Sequence, residues 1–380
     1  GARVPLVGSF WLSKKPHRAA WIRPSVTSNN QLKFEVVVGA GGPDISGTIE
    51  KSGATCIVSK TLIPFKYIRD EAKAGRMTHS LMAIVAEGDR ERVYLAADPK
   101  HERIALDIDA PFLPELPLPE SALGFRVQEY GIKKWSQLFS RRQQNLLKTC
   151  INIVKELPIK SEIPTKSDEL TYTASFARYR DAVTLYLSFL IDKLAESSST
   201  ACTWSAAPKN ELVVSTFRRY SLSQTWEFAE SNPFADSSGS IAKIAMAIGK
   251  AIQELPTRGM GRAEQHAAQS KWQFESSIIS TDPPYFDNIG YADLSDFFYY
   301  WLRQSLSSLH WPEMETLLVP KEQELIASPY RHESAADADQ YFLTGMTHTL
   351  RELSNASVAG MPLTLYYAFK QSDADNESGG

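Results

Sequence analysis

The hydrophobic and polar positions divide the chain into three stretches that follow different periods. Up to about residue 105, short runs rich in β-branched and aromatic residues alternate with polar turns, which predicts a mostly β module. Between about residues 132 and 200, apolar side chains recur at three- and four-residue steps, which predicts packed helices. From about residue 210 onwards, helix patterns alternate with strand patterns, the order typical of a parallel α/β sheet.

The pattern assigns particular elements to each stretch. In the first, we predict strands at 4–12, 32–38 and 54–64, a helix at 67–77 and a hairpin at 82–97. In the last, we predict helices at 221–231, 240–254, 262–270, 293–307 and 336–353, and strands at 276–281 and 363–369. Between these stretches, the proline-rich segment 109–119 predicts an extended linker.

One helix of the middle stretch carries a stripe of apolar and aromatic side chains along a single face. The stripe consists of Phe176, Tyr179, Val183, Tyr186, Leu187, Leu190 and Leu194. Because large apolar side chains are usually buried, we predict that this stripe is core and not a binding surface. The helix is predicted to end at Ser197–Thr200.

Composition and charge limit the function classes. The 380 residues are 43% hydrophobic and 22% charged, which is typical of a globular protein. The net charge of −3 means that any contact with nucleic acid must come from local basic patches. No run of 18 apolar residues predicts a membrane span, and three scattered cysteines argue against a disulfide scaffold. We therefore expect a cytoplasmic protein without a membrane partner.

The most specific motif is Asp282-Pro283-Pro284-Tyr285, which follows the apolar pair Ile278-Ile279. An amphipathic helix is predicted directly after it. In parallel α/β sheets ligands bind at the carboxyl ends of strands, where this motif falls. A strand, this tetrapeptide and then a helix form the layout that favours methylation of an exocyclic amine on a nucleobase.

The chemistry explains the residue types. The lone pair of an exocyclic amine is delocalised into the ring, so two hydrogen-bond acceptors are needed to draw the nitrogen towards tetrahedral geometry. The Asp282 carboxylate is one candidate acceptor, and the Pro283 carbonyl is the other. Pro283 and Pro284 restrict φ and stiffen the loop before the substrate arrives. Tyr285 offers a flat face for an extruded base. These four residues are the predicted catalytic set.

An alternative is that Asp-Pro-Pro forms a stiff turn at a strand end and that Tyr285 belongs to the core. Phe286, Asn288 and Tyr291 are candidate contacts with the substrate, although Asn288 also suits a tight turn. For Asp293 we favour a helix cap over a substrate contact.

Other candidates carry weaker signals. A basic stretch suits either phosphate contact or a solvated helix face, and Arg218-Arg219 is a weaker case of the same kind. The stretch comprises Lys133, Lys134, Arg141, Arg142 and Lys148, with Glu129 nearby. Lys370 follows the last predicted strand and is a further candidate for the site. The glycines between Gly39 and Gly42 are interpreted as a hairpin connection in preference to a nucleotide loop, because no helix pattern follows.

The motif and its extension resemble a known family. Residues 282–298 closely resemble the DUF1156 family of bacterial and archaeal proteins, described as adenine-specific DNA methylases that contain a zinc-ribbon domain. The resemblance covers nearly the whole chain. Supporting stretches are 4–7, 63–65, 81–89, 178–194, 226–234, 319–321 and 366–371.

The resemblance implies an α/β fold with three parts. It implies an N-terminal zinc-ribbon-like β module at 1–105, a linker and helical middle region at 106–205, and part of a Rossmann-like methyltransferase sheet at 206–380. It also implies S-adenosylmethionine as cofactor and DNA as partner. The family's glycine-rich cofactor loop is expected before residue 1, so a missing N-terminal portion is a predicted partner and the cofactor-binding residues of this chain stay unknown.

The ribbon departs from the family's pattern. One cysteine pair is expected before residue 1, and the other becomes Cys56-Ile57-Val58-Ser59, with serine in place of the second thiolate. A structural zinc ion needs four ligands, usually thiolate or imidazole, so the ligand count argues against zinc. We therefore assign no metal ligand in this chain.

Three functions follow as hypotheses. The first is an S-adenosylmethionine-dependent methyltransferase acting on the N6 amine of adenine in DNA. The second is a catalytically silent nucleic-acid-binding or assembly module derived from a methylase, which the degraded cysteine pair motivates. The third is amine or amide methylation of RNA or protein.

Overall fold

A computed structural model describes residues 3–28, 31–157, 169–255, 261–274 and 276–367. The described residues form a mixed α/β fold with seven α-helices and several small sheets. No helix among them combines the length and the apolarity needed to cross a membrane.

The first sheet has three antiparallel strands in chain order: β1 (Trp11–Ser13), β2 (Ala19–Val26) and β3 (Leu32–Gly39). Its core consists of Val7, Phe10, Leu12, Ala20, Ile22 and Tyr94. β2 was not predicted, because Arg23-Pro24 interrupts its apolar run. Pro24 is tolerated since β1 pairs only with the start of β2, which leaves an open edge at the proline.

Two further hairpins complete the β-rich part. β4 (Gly53–Thr55) pairs with β5 (Leu62–Pro64), and β6 (Ala83–Glu87) pairs with β7 (Arg92–Ala96), both antiparallel. The hairpin of β6 and β7 lies where a hairpin was predicted, at 82–97. The predicted single strand at 54–64 is wrong, because this segment turns back on itself and forms the hairpin of β4 and β5. Helix α1 (Phe65–Lys73) begins two residues earlier than the predicted helix and ends before Gly75, whose φ is 72°. Helix α2 (Pro99–Leu106) was not predicted; Asp98 caps it by accepting from Lys100 N.

The helical part contains α3 (Arg141–Glu156), α4 (Glu169–Ser197) and α5 (Ile241–Glu254), and α4 packs against both neighbours. Ser140 starts α3 with a capping box that includes Gln143. The predicted stripe on α4 is core only in its last turns, where Leu190 and Leu194 are buried; Tyr179 is 45% exposed.

The hairpin of β8 (Thr203–Ala207) and β9 (Asn210–Val214) was not predicted. Conversely, the predicted helix at 221–231 is wrong, because this segment is irregular. Trp226 stacks on Phe65 with ring centroids 6.2 Å apart and meets Tyr130 edge-on at 5.2 Å. These contacts hold the segment in an extended path that its local periodicity does not reveal.

The C-terminal part contains β10 (Ser280–Thr281), α6 (Tyr291–Ser305), α7 (Ala335–Ala356) and β11 (Thr364–Leu365). Both predicted helices are confirmed within two or three residues at their ends. The predicted helix at 262–270 is wrong, because the segment forms only a turn. β10 and β11 are parallel, as predicted, but each contains two residues. A larger Rossmann-like sheet and a zinc ribbon stay predictions.

The chain divides into two compact units that interleave along the sequence. Unit 1 comprises the described parts of 1–118, 126–255 and 301–309. Unit 2 comprises the described parts of 119–125, 256–300 and 310–380. Unit 2 has a small core of Ala327, Ala338 and Phe342, with Phe286 and Met346 packed against it.

Candidate active site

The parallel pairing in unit 2 positions the Asp-Pro-Pro-Tyr motif. Thr364 N donates to Ile279 O at 3.0 Å, and Tyr366 N donates to Thr281 O at 2.9 Å. Asp282 therefore follows the carboxyl end of β10 directly, next to the carboxyl end of β11. This is the edge at which α/β sheets bind ligands.

The Asp282 carboxylate faces solvent, and one of its oxygens has a partner within the motif. Tyr285 Oη donates to Asp282 Oδ1 at 2.7 Å. The Tyr285 ring meets Tyr367 edge-on, with centroids 5.6 Å apart. Among the described residues no backbone amide donates to the Pro283 carbonyl. Two acceptor groups thus remain accessible to a ligand, Asp282 Oδ2 and Pro283 O.

The loop turns sharply at Phe286, whose φ of 46° lies in the left-handed region. This conformation is uncommon for a bulky residue and is stabilised here by contacts on both sides. Phe286 O accepts from Ala327 N at 3.0 Å, and the Phe286 ring meets Phe342 edge-on at 5.2 Å. Phe286 therefore anchors the loop to α7, while its predicted contact with substrate stays a prediction.

The other predicted substrate contacts lie at the end of the same loop. Asn288 is exposed, and its N–H donates to Tyr285 O at 2.9 Å, which is the turn that its residue type favours. Tyr291 is the first residue of α6 and is 37% exposed. Both side chains lie near the motif in sequence, but neither lines the cleft described next.

A cleft of about 760 Å³ lies beside the motif, within unit 2. One side is formed by 277–284, which includes Asp282 and Pro283. The other sides are formed by 265–268 with Trp272 and Phe274, by Val319, Pro320 and 323–325, and by one face of α7. Its volume is that of typical small-molecule sites, and its lining combines aromatic and aliphatic side chains with a few polar groups.

The sequence did not reveal a group of ionised side chains between α6 and the segment 319–331. Lys321 Nζ lies 2.7 Å from Asp296 Oδ2. Arg331 lies 2.6 Å from both Asp293 Oδ2 and Glu324 Oε2. The capping role predicted for Asp293 is wrong: α6 starts at Tyr291, so Asp293 lies in the first turn and pairs with Arg331. Spacing alone gave no signal for these long-range pairs.

Burial and the neighbouring charges shift the pKa values of Asp296 and Arg331. Burial raises the pKa of Asp296, while the hydrogen bond and charge of Lys321 and the amide of Val319 act in the opposite direction. Burial also opposes the charge on Arg331, but the hydrogen bonds and charges of Glu324 and Asp293 raise its pKa. Asp296 is therefore paired with Lys321, and Asp293 and Glu324 are paired with Arg331. The carboxylate of Asp282, in contrast, is exposed.

The basic stretch in unit 1 has more acidic neighbours than the sequence suggested. Lys134 Nζ lies 2.8 Å from Glu115, and Arg142 forms two hydrogen bonds with Glu230, at 2.9 and 2.8 Å. Lys133 and Arg141 are exposed, as are Arg218 and Arg219. Lys370 lies outside the described residues.

The glycine run and the cysteine turn have structural explanations. Gly42 lies against the Trp11 ring and leads into a loop between strands, not into a helix. Cys56 Sγ accepts from Ser59 N at 3.4 Å, and hydrogen bonds from Ser59 lower the pKa of this thiol. Among the described residues no three His, Cys, Asp or Glu side chains are grouped as metal ligands. One thiol and a serine do not fit a structural zinc ion.

No family model, curated protein or solved structure matches this chain.

Proposed function

We propose that this chain carries the amine-binding part of an S-adenosylmethionine-dependent methyltransferase that acts on the N6 amine of adenine in DNA. One observation carries the proposal. The exposed Asp282 carboxylate and the Pro283 carbonyl follow a parallel strand and line a cleft of about 760 Å³. The choice of adenine and of DNA follows the family resemblance of residues 282–298.

The motif suits an amine that carries two N–H groups. Asp282 Oδ2 accepts one N–H and the Pro283 carbonyl accepts the other, which localises the nitrogen lone pair. Because Pro283 and Pro284 hold the acceptors rigidly, little reorganisation is needed at the moment of reaction. A keto oxygen in the same place would meet two acceptors and be repelled, so the loop selects a base that presents an exocyclic amine there and rejects thymine, which has none.

The cleft suits a base that has left the duplex. Enzymes that modify bases extrude the target nucleotide into a pocket and stack it against aromatic side chains. Trp272 and Phe274 line the cleft and are the aromatic side chains available for stacking there. Tyr285 is half-buried next to the acceptors but is not among the residues that line the cleft. When bound, S-adenosylmethionine supplies an electrophilic methyl group, and the role of this chain is to orient the amine towards it. A cytoplasmic location and DNA as partner stay predictions.

Replacing the acceptor carboxylate tests the proposal. We expect Asp282→Ala to lower methyl incorporation into adenine of DNA by roughly 10²–10³-fold, the usual loss when one preorganised polar partner is removed. The fold should survive because Asp282 is exposed. Asp339→Ala is the matched control, since Asp339 is an exposed carboxylate on α7 in the same unit. The measurement is methylation by the intact gene product, followed by long-read sequencing of the modified DNA.

Full activity of the Asp282→Ala variant would falsify the assignment. Methyl incorporation into RNA or protein, and not into DNA, would instead support the third hypothesis about the substrate. Parallel assays with the three substrates distinguish these outcomes.

We further expect that this chain by itself binds S-adenosylmethionine weakly. Among the described residues no loop with several glycines joins a strand to a helix N-terminus, the arrangement that binds the cofactor in Rossmann-like folds. Isothermal titration calorimetry of the chain with S-adenosylmethionine measures this directly. Tight binding with one cofactor per chain would show that the described cleft holds it without a further segment.

A silent nucleic-acid-binding module remains the second candidate. Ser59 supports it, since serine stands where the resembled family is expected to have the second thiolate of a cysteine pair. DNA binding by the intact gene product without methylation under any cofactor concentration would support this candidate.

A further inference from the structure

Helix α6 is joined to one wall of the cleft by two sets of ionised side chains. In the first, Asp296 accepts from Val319 N at 2.8 Å and lies 2.7 Å from Lys321 Nζ. Lys321 Nζ also donates to Val319 O at 2.9 Å. Asp296 is completely buried, so its hydrogen bond from Val319 N and its ion pair with Lys321 are shielded from water.

In the second set, Arg331 lies between two carboxylates. Its guanidinium contacts Asp293 of α6 and Glu324 of the wall, both at 2.6 Å. Glu324 uses its other oxygen to accept from Ala292 N at 2.9 Å. The first turn of α6 is therefore bound to the wall through both a backbone amide and a side chain.

The same end of α6 follows the loop 282–290, which contains the Asp-Pro-Pro-Tyr motif. The loop that starts at Asp282 runs directly into α6 at Tyr291. Halfway along, Phe286 O accepts from Ala327 N at 3.0 Å. The wall segment 319–331 is thus attached to the loop at its middle and to α6 at its end, while Val319, Pro320 and 323–325 line the same cleft as Asp282.

We propose that Asp293, Asp296, Lys321, Glu324 and Arg331 form a positioning clasp that sets the width of the cleft beside Asp282. This inference rests on the proposed function, since a fixed width matters for seating a flat base between the loop and the wall. Glu324 itself lines the cleft. Asp293, Asp296, Lys321 and Arg331 are not among the lining residues, and they act through Val319, Pro320 and the loop.

The energetics agree with a positioning role. Burying two charges costs several kcal/mol per ion, and apolar residues of similar volume often stabilise a fold equally well. A buried ion pair is a weak source of stability but has directional contacts, which apolar packing lacks. The clasp therefore contributes mainly to the relative placement of α6, the loop and the wall.

The test separates positioning from stability by removing both charges of one link together. In the double variant Asp296→Leu with Lys321→Met, no buried charge is left without a partner, so we expect the melting temperature to stay within about 4 °C of the wild-type value. Amide hydrogen exchange should become at least about tenfold faster in 317–325 and in 282–290, which corresponds to about 1.4 kcal/mol. Exchange in 343–353 of α7 should stay unchanged.

Two variants serve as controls. Lys321→Arg keeps the ion pair, so exchange in 317–325 and in 282–290 should stay at the wild-type rate. Tyr299→Phe removes contacts of the same helix with Glu313 O at 3.0 Å and Thr316 O at 2.8 Å, a segment that does not line the cleft. It should speed exchange at 313–316 and leave 282–290 unchanged.

Wild-type exchange in the double variant would overturn the proposal, and so would equal acceleration in all segments, which indicates a general loss of stability. These readouts do not depend on methylation. In the methylation assay, we expect the double variant to have a kcat at least about tenfold below the wild-type value, in addition to its faster hydrogen exchange. If exchange changes as expected but the wild-type protein methylates nothing, the clasp stands and the proposed function fails.

Discussion

At the scale of single residues, the Asp282–Tyr285 pair shows how a short motif organises itself. The hydroxyl of Tyr285 lies three residues from Asp282 in sequence and donates to it at 2.7 Å, so one carboxylate oxygen is held while the other stays accessible. Charge-assisted hydrogen bonds of this kind are shorter and stronger than neutral ones. The tyrosine therefore fixes the orientation of the Asp282 carboxylate. In the proposed function this contact is a second role for Tyr285 besides its flat ring.

Removing only this hydroxyl tests that function. Tyr285→Phe keeps the ring, so we expect KM for DNA to change less than twofold while kcat falls roughly tenfold, about 1.4 kcal/mol of lost orientation. Steady-state methylation kinetics provide both constants. Tyr366→Phe is the control, because Tyr366 is a nearby tyrosine that is 59% exposed. Equal kcat values for Tyr285→Phe and wild type would show that the hydroxyl does not orient Asp282.

At the scale of elements, helices with strong periodicity and a clear start were predicted well. Ser240 and Ser334 begin α5 and α7 by accepting from Lys243 N and Asp337 N. These caps and the apolar spacing are local signals, so they can be recognised without a structure. The segments at 221–231 and 262–270 also have helix-like spacing, but the structure shows no helix there.

The packing of α7 against the cleft wall makes a prediction about one glycine. A Cβ at Gly345 would overlap the Leu325 side chain, which is buried and lines the cleft. We expect Gly345→Ala to destabilise unit 2 by about 1–3 kcal/mol, because overpacking outweighs the gain of up to about 1 kcal/mol in helix propensity. Urea unfolding followed by circular dichroism measures this change.

Gly249→Ala on α5 is the matched comparison for Gly345. A Cβ there would meet no atom within 4 Å, so the substitution should stabilise the protein by about 0.5–1 kcal/mol. If Gly345→Ala were equally stabilising, the close contact between α7 and Leu325 would be wrong.

At the scale of the whole molecule, the charge distribution limits how DNA can be bound. With a net charge of −3, attraction must come from patches, and the basic stretch of unit 1 is the candidate that the sequence indicated. Two members of that stretch, Lys134 and Arg142, are engaged by carboxylates. The exposed residues Lys133 and Arg141 are thus the ones most able to contact phosphate groups.

A salt titration of DNA binding tests this patch. Replacing Lys133 and Arg141 by alanine should weaken binding uniformly across sequences and reduce the slope of log K against log salt by about 1 per lost phosphate contact. Fluorescence anisotropy at several salt concentrations gives the slope. Arg23→Ala is the control, since Arg23 already pairs with Glu35 on the neighbouring strand at 3.4 Å. An unchanged slope would identify the stretch as a solvated helix face.

The sequence by itself determined the features that depend on neighbouring residues. These include the α/β class, the hairpin at 82–97, the helical character of α3 and α4, the helices α5, α6 and α7 in outline, and the motif that begins at Asp282. Periodicity, caps and prolines act over a few residues, so their consequences follow from the local order of side chains. The chemistry proposed for the motif could also be inferred from the sequence, because Asp282, Pro283 and Tyr285 are close together along the chain.

Only the tertiary structure decided which distant residues surround that motif. Ala327 anchors Phe286, Lys321 pairs with Asp296, and Arg331 pairs with Asp293. The path of 221–231 depends on the contact of Trp226 with Phe65. These partners lie 25 to 161 positions apart in sequence and share no local pattern. A salt bridge needs two charges to meet in space, and a chain of 380 residues offers many more charged pairs than the fold brings together. The width of the cleft is therefore a property of packing and cannot be read from the motif alone.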